Sequence, residues 1–268
     1  MFNVIVIVGP GLGRFTDSKN VIGTIQALNE AGIQAITLNW PPFLNDLDSF
    51  QAQAKWFGEV WWKMNEDKLK GKEVVYYGFS RGDLTGREIT NLFPDMIKAY
   101  FGACGPARST NLLDGNTPVE LESAVDAMQR GGKKASLIEK TTNWIISKFG
   151  NSISDDFLQF MLNDPRQACS VYNSHIKNEP RWRELAKQAL AIIPSFYWYG
   201  NGDKALDMVG HRSYLEQNQV MVFRHPTKGH SMVPAEYLPR LIKYLMLEAD
   251  KRVIQYDPKR LETIFSTN

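Results

Sequence analysis

Cysteine is almost missing from this chain: Cys104 and Cys169 are the two in 268 residues. Two thiols make no disulfide framework, so a reducing compartment and a stabilising apolar core are expected. No cluster of His, Cys, Asp and Glu has metal-ligand spacing, and neither a metal nor another cofactor is expected. Charge of one sign is missing too. The net charge of +2 gives no lean toward nucleic acid or an anionic membrane surface. Long hydrophobic runs are the third absence. The first apolar stretch, Val4 to Val8, has no basic region before it and breaks at Gly9. That is neither a signal peptide nor a membrane span, and no other stretch is long and apolar enough to cross a bilayer. A soluble, cytoplasmic protein without nucleic-acid partner is the expectation; nothing in the sequence sets its oligomeric state. Internal repeats and low-complexity segments are absent as well.

What is present is the apolar content of a globular protein, 43%, in a chain long enough for a sizeable core. The apolar residues fall in an alternating pattern. Val4 to Val8 is a continuous Val/Ile run, as in a strand buried on both faces, and it ends in Gly9-Pro10-Gly11-Leu12-Gly13. A helical pattern from about Asn20 to Ala31 closes at Gly32. Gln34 to Asn39 reads as a strand stopped by Trp40-Pro41-Pro42-Phe43. Ser49 to Leu69 reads as one long helix, Glu73 to Phe79 as a strand, Gly82 to Leu92 as a helix, and Ile97 to Ala103 as a fourth strand. The alternation then stops. Residues from about Ala107 to Leu190 look helical throughout, with Thr117-Pro118-Val119-Glu120 as a capping box. Strands resume at Ser195 to Tyr199 and Val220 to Arg224, and Val233 to Lys251 reads as a last helix.

Such alternation predicts a three-layer α/β architecture: a mostly parallel sheet of about six strands, helices on both faces. Residues 1–106 and 191–268 form its core, and 107–190 is a helical cap inserted where the fourth strand leaves the sheet. Open α/β sheets bind ligands at the edge where strands end.

One stretch at that edge carries chemistry. Gly78-Phe79-Ser80-Arg81-Gly82 follows an apolar strand and precedes a helix, the setting in which Gly-x-Ser-x-Gly raises a serine on a sharp bend. The pentapeptide alone is common in loops; the strand before and the helix after give it meaning. A serine nucleophile needs a base, and the base a carboxylate that fixes its tautomer. Of the four histidines, His175 falls in the insertion, His211 on a surface helix, and His225 closes a strand. His230, in Lys228-Gly229-His230-Ser231, lies in a loop after the last strand and is the best base. Asp203 follows the preceding strand across the turn signal Asn201-Gly202, with Asp207 as its rival. Asp83, in the first turn after the bend, reads as a favourable partner of the helix dipole.

The order Ser80, Asp203, His230, each after its own strand, resembles the α/β-hydrolase-fold serine hydrolases. The bend, the strand-end acid, Gly229-His230 and the first glycine loop carry the likeness, which runs from the first strand to the last helix. The chain departs from that pattern by starting at the family's third strand and by having Pro10 where many members have His. The Gly-Phe-Ser-Arg-Gly bend is also similar to one in some bacterial phospholipase effectors. The resemblance implies cleavage of an ester or related acyl bond, with an oxyanion hole made by the amides of Arg81 and Leu12, Gly11 being second to Leu12. It also implies a small-molecule or lipid-like acyl substrate, against which Trp40 and Phe43 stand as candidate pocket residues. A thioesterase or acyltransferase would use the same residues, and a non-catalytic binding protein could keep the fold. The side chains of Arg81 and Arg14 could meet an anionic substrate group, or only solvent and a carboxylate. A dinucleotide site is not expected: Arg14 stands where the third glycine of a Rossmann loop belongs, and no acid follows the second strand.

Overall fold

A computed structural model describes residues 3–11, 19–41, 50–105, 195–200, 221–225 and 232–248. Six strands make up its sheet: β1 (Val4–Gly9), β2 (Gln34–Thr37), β3 (Glu73–Phe79), β4 (Ala99–Ala103), β5 (Ser195–Gly200) and β6 (Met221–His225). They lie in the order β2-β1-β3-β4-β5-β6, and every neighbouring pair is parallel. Parallel strands are covered on both faces, which is why Val4 to Val8 is apolar without alternation and buried throughout.

Helix α1 (Lys19–Glu30) links β1 to β2 and shares its face of the sheet with the last described helix, α6 (Leu238–Glu248). On the opposite face lie α2 (Phe50–Trp56) and α5 (Arg81–Leu92), packed on each other. The chain therefore leaves β1 over one face to reach β2 and returns over the other face to β3. The strand order reverses between β1 and β3, and the crevice at such a reversal is where open α/β sheets hold ligands.

Two helices differ from expectation. The segment read as one helix to Leu69 turns as a π-helix over Phe57–Trp61, then continues as α3 (Trp62–Met64) and α4 (Glu66–Leu69). Asn65 makes the break between these two. Its side chain donates to the Trp61 carbonyl at 2.8 Å, beside its own amide, which donates to the same carbonyl at 3.1 Å, and its backbone leaves the helical region. The last helix begins at Leu238, not at Val233. Pro239 lacks the amide proton that a continuous helix from Val233 would direct at the Ala235 carbonyl, and a turn at 235–237 comes first. Other described boundaries fall within two residues of those expected, and β3 coincides with its expected span. The inserted cap expected over 107–190 lies outside the described residues.

Candidate active site

The strand ends that frame the reversal are level. Gly9 of β1 pairs with Gly78 of β3, and Phe79 pairs with Ala103 of β4. One residue on, Ser80 sits between β3 and α5 with φ 53° and ψ −115°. A residue with a Cβ rarely takes such angles, and holding one there costs about 1–3 kcal/mol. The bend is kept by its surroundings. The Ser80 amide donates to the Ala103 carbonyl at 2.7 Å, and the Asp83 amide donates to the Ser80 carbonyl at 3.1 Å.

The two flanking glycines are dictated by close approach. A Cβ on Gly78 would stand 2.6 Å from the Cα of Asp83 and 2.6 Å from the Gly82 carbonyl oxygen. One on Gly82 would collide with the Gly9 carbonyl and stand 2.6 Å from that of Pro10. The first turn of α5 therefore rests directly on the loop after β1. That contact brings Gly11 to the bend: a Cβ there would lie 3.1 Å from the Phe79 ring and 3.6 Å from the Ser80 Cβ. Ser80 is half-buried and Gly11 likewise, at the rim of the crevice.

Helix α5 is buried from Arg81 through Thr90, although its sequence is mostly polar. A helix like this needs a partner for each polar group. Thr85 donates to the Gln53 side-chain oxygen at 2.8 Å, Thr90 to the Gly86 carbonyl at 2.9 Å, and the Tyr76 hydroxyl to the Gly82 carbonyl at 3.1 Å. Asp83 is not merely a helix-dipole partner. Its carboxylate forms an ion pair with Arg87 one turn on, accepts from the Tyr100 hydroxyl of β4, and lies 3.4 Å from that of Tyr197 on β5. Tyr197 and Arg87 also donate to the Gly105 carbonyl, just past the end of β4. Burial pushes the Asp83 carboxyl up, while Arg87 and the two hydroxyls act in the opposite sense. The network fastens the helix behind Ser80 to β4, to the residue Gly105 just past it, and to β5.

Among the expected site residues, then, Ser80, the Arg81 amide and Gly11 lie together at the reversal. The Arg81 side chain is buried, with its guanidinium 5.3 Å above the Phe50 ring, so it packs α5 on the start of α2. Trp40 is buried after β2, edge-on to Trp56 at 5.5 Å. Asp203, His230, Leu12, Phe43 and Arg14 lie outside the described residues. The strands that lead to the first two end at the same sheet edge: Trp198 of β5 pairs with Ala103, and Gly200 pairs with His225 of β6. Three residues after His230 in sequence, the Val233 amide donates to the Tyr77 hydroxyl of β3 at 3.1 Å.

The sequence reading missed both Tyr77 and the Asp83 network. A signal was there, since Tyr76-Tyr77 interrupts an apolar strand. A buried tyrosine hydroxyl has to find a partner. No group of three or more potential metal ligands occurs among the described residues. No described helix is long and apolar enough to cross a membrane.

No protein-family model and no curated protein matches this sequence. Solved structures do match it in shape. A hydrolase from Oleispira antarctica is 15% identical over 91% of this chain and 90% of that one, with a TM-score of 0.59. A lipase-esterase related protein from Clostridium acetobutylicum is 13% identical over 91% and 95%, with a TM-score of 0.56. A monoacylglycerol lipase from Paleococcus ferrophilus is 17% identical over 91% and 93%, with a TM-score of 0.52. At such identities the likeness speaks for the fold, and the fold of this chain is that of the α/β-hydrolases.

Proposed function

We propose that this protein is a carboxylic ester hydrolase whose nucleophile is Ser80. The observation that carries the reading is the strained bend at Ser80, level with the first glycine loop at the point where strand order reverses. Strain of that kind persists where the surrounding structure has a use for the geometry. The solved structures of similar fold include a monoacylglycerol lipase and a hydrolase, which supports the same chemistry.

In this reading the Ser80 hydroxyl adds to the ester carbonyl while His230 takes its proton, and Asp203 holds the imidazole in the required tautomer. The negative oxygen of the tetrahedral intermediate accepts from the amides of Arg81 and Leu12, with Gly11 as the alternative donor. Collapse expels the alcohol, which takes the proton from His230, and leaves an acyl-Ser80 ester. Water, deprotonated by His230, then releases the carboxylic acid and restores the serine. Residues 107–190 form the cap over the site, and Trp40 and Phe43 contribute to the acyl side of the pocket.

The test is labelling with a fluorophosphonate, followed by a series of p-nitrophenyl esters of increasing chain length. One phosphonyl group per chain at Ser80, none in Ser80→Ala, and ester turnover lost in that variant are expected. A wild-type protein that neither labels nor turns over any ester in the series would make the fold a binding scaffold. Turnover confined to acyl thioesters, or transfer to an added alcohol in preference to water, would move the assignment to a thioesterase or an acyltransferase.

A further inference from the structure

The hydrogen bond between Tyr77 and Val233 joins two parts of the chain that the proposed chemistry needs in register. Tyr77 stands on β3 three residues before Ser80, which is about 10 Å along a strand. Its ring is buried and lies against Phe101 of β4 with centroids 5.2 Å apart, so the hydroxyl is carried on the rigid middle of the sheet. Val233 is buried three residues after His230, in irregular backbone between β6 and α6. The Val233 amide lies in neither a strand nor a helix, and the acceptor it has is the Tyr77 hydroxyl. Three residues of chain reach at most about 10 Å, so fixing Val233 confines where His230 can stand.

We infer that Tyr77 is a positioning residue: its hydroxyl pins the downstream end of the histidine loop to the strand that carries Ser80. This rests on the reading of Ser80 and His230 as nucleophile and base. Without the pin the loop keeps its length and composition but loses its fixed end. The imidazole then spends less time within reach of the serine hydroxyl. Small displacements of a reacting group are felt strongly in rate and weakly in substrate binding.

Tyr77→Phe deletes one oxygen and keeps the ring against Phe101, so it isolates the bond. For p-nitrophenyl ester hydrolysis, kcat should fall roughly ten- to a hundredfold with KM held within about twofold. Introduced into His230→Ala, the same change should have no further effect on the residual rate, because the group it positions is gone. An equal loss in both backgrounds, or none in the wild type, would overturn the inference. Wild-type turnover in His230→Ala alone would fault the base assignment instead, and the pin with it. Amide exchange gives a reading that needs no activity. The Val233 amide of the unaltered protein should exchange slowly, and in Tyr77→Phe faster, with the amides of β3 unchanged. Fast exchange at Val233 in the unaltered protein would refute the pin directly.

Discussion

Ser80 is held at backbone angles that suit glycine better than serine. Replacing it therefore separates chemistry from stability. Both Ser80→Ala and Ser80→Gly should be inactive, but the glycine variant is freed of about 1–3 kcal/mol of strain. Added unfolded-state freedom returns about 0.5–1 kcal/mol of that. Ser80→Gly should accordingly unfold at a higher urea midpoint than Ser80→Ala, and the reverse order would mean that the bend is relaxed. This residue was legible in the sequence because its requirements are local: two glycines, a strand before and a helix after. Asp83 was not. Its partners Tyr100 and Tyr197 come from strands brought beside it only by the sheet.

At the scale of elements, α5 is the helix whose sequence and surroundings disagree most. It carries Arg81, Asp83, Arg87 and Glu88, all buried. A buried ion pair adds little net stability against a well-packed apolar pair, but removing one partner strands the other charge. Asp83→Asn should lower unfolding free energy by about 3–5 kcal/mol. The double variant Asp83→Leu with Arg87→Met should lose less than Asp83→Asn alone, as read from urea denaturation. Additive losses would show that the two residues act independently. Strands were read well because a sheet covered on both faces writes itself as uninterrupted apolar runs. The aromatic helix after Phe50 was read less well. Periodicity registers which residues are apolar, but not that the Asn65 side chain turns back on the Trp61 carbonyl.

Across the whole molecule, the sheet buries phenols as well as aliphatic side chains. Burial pushes Tyr76, Tyr77 and Tyr100 far above the usual tyrosine range. In the unfolded chain each ionises near pH 10, so above that pH the unfolded state binds fewer protons than the native one. Stability is therefore fully present below about pH 10 and falls as pH rises beyond it. Of the ten tyrosines, those three should show tyrosinate absorbance only together with loss of far-UV circular dichroism. Ionisation of all ten with the dichroism intact would contradict their burial. The parallel sheet with helices on both faces was foreseeable from the alternation of strands and helices; the strand order was not. The bonds of the Tyr77, Tyr100 and Tyr197 hydroxyls were not legible either, because each joins residues far apart in sequence.

The same strand order sets how this sheet has to be assembled from an open chain. Parallel neighbours cannot be joined by a tight hairpin, so every ladder here closes a loop, and chain entropy rises with loop length. The longest closure is the seam between β4, which ends at Ala103, and β5, which begins at Ser195. Strands β1 to β4, with Ser80 and its glycine loop, lie on one side of that seam and can pair without crossing it. Strands β5 and β6, which lead to the proposed acid and base, lie on the other. The network of Asp83, Arg87, Tyr100, Tyr197 and Gly105 spans this seam. The pairing with the greatest loop entropy against it is thus the one fastened by buried charge, and the proposed triad is complete only after it has closed.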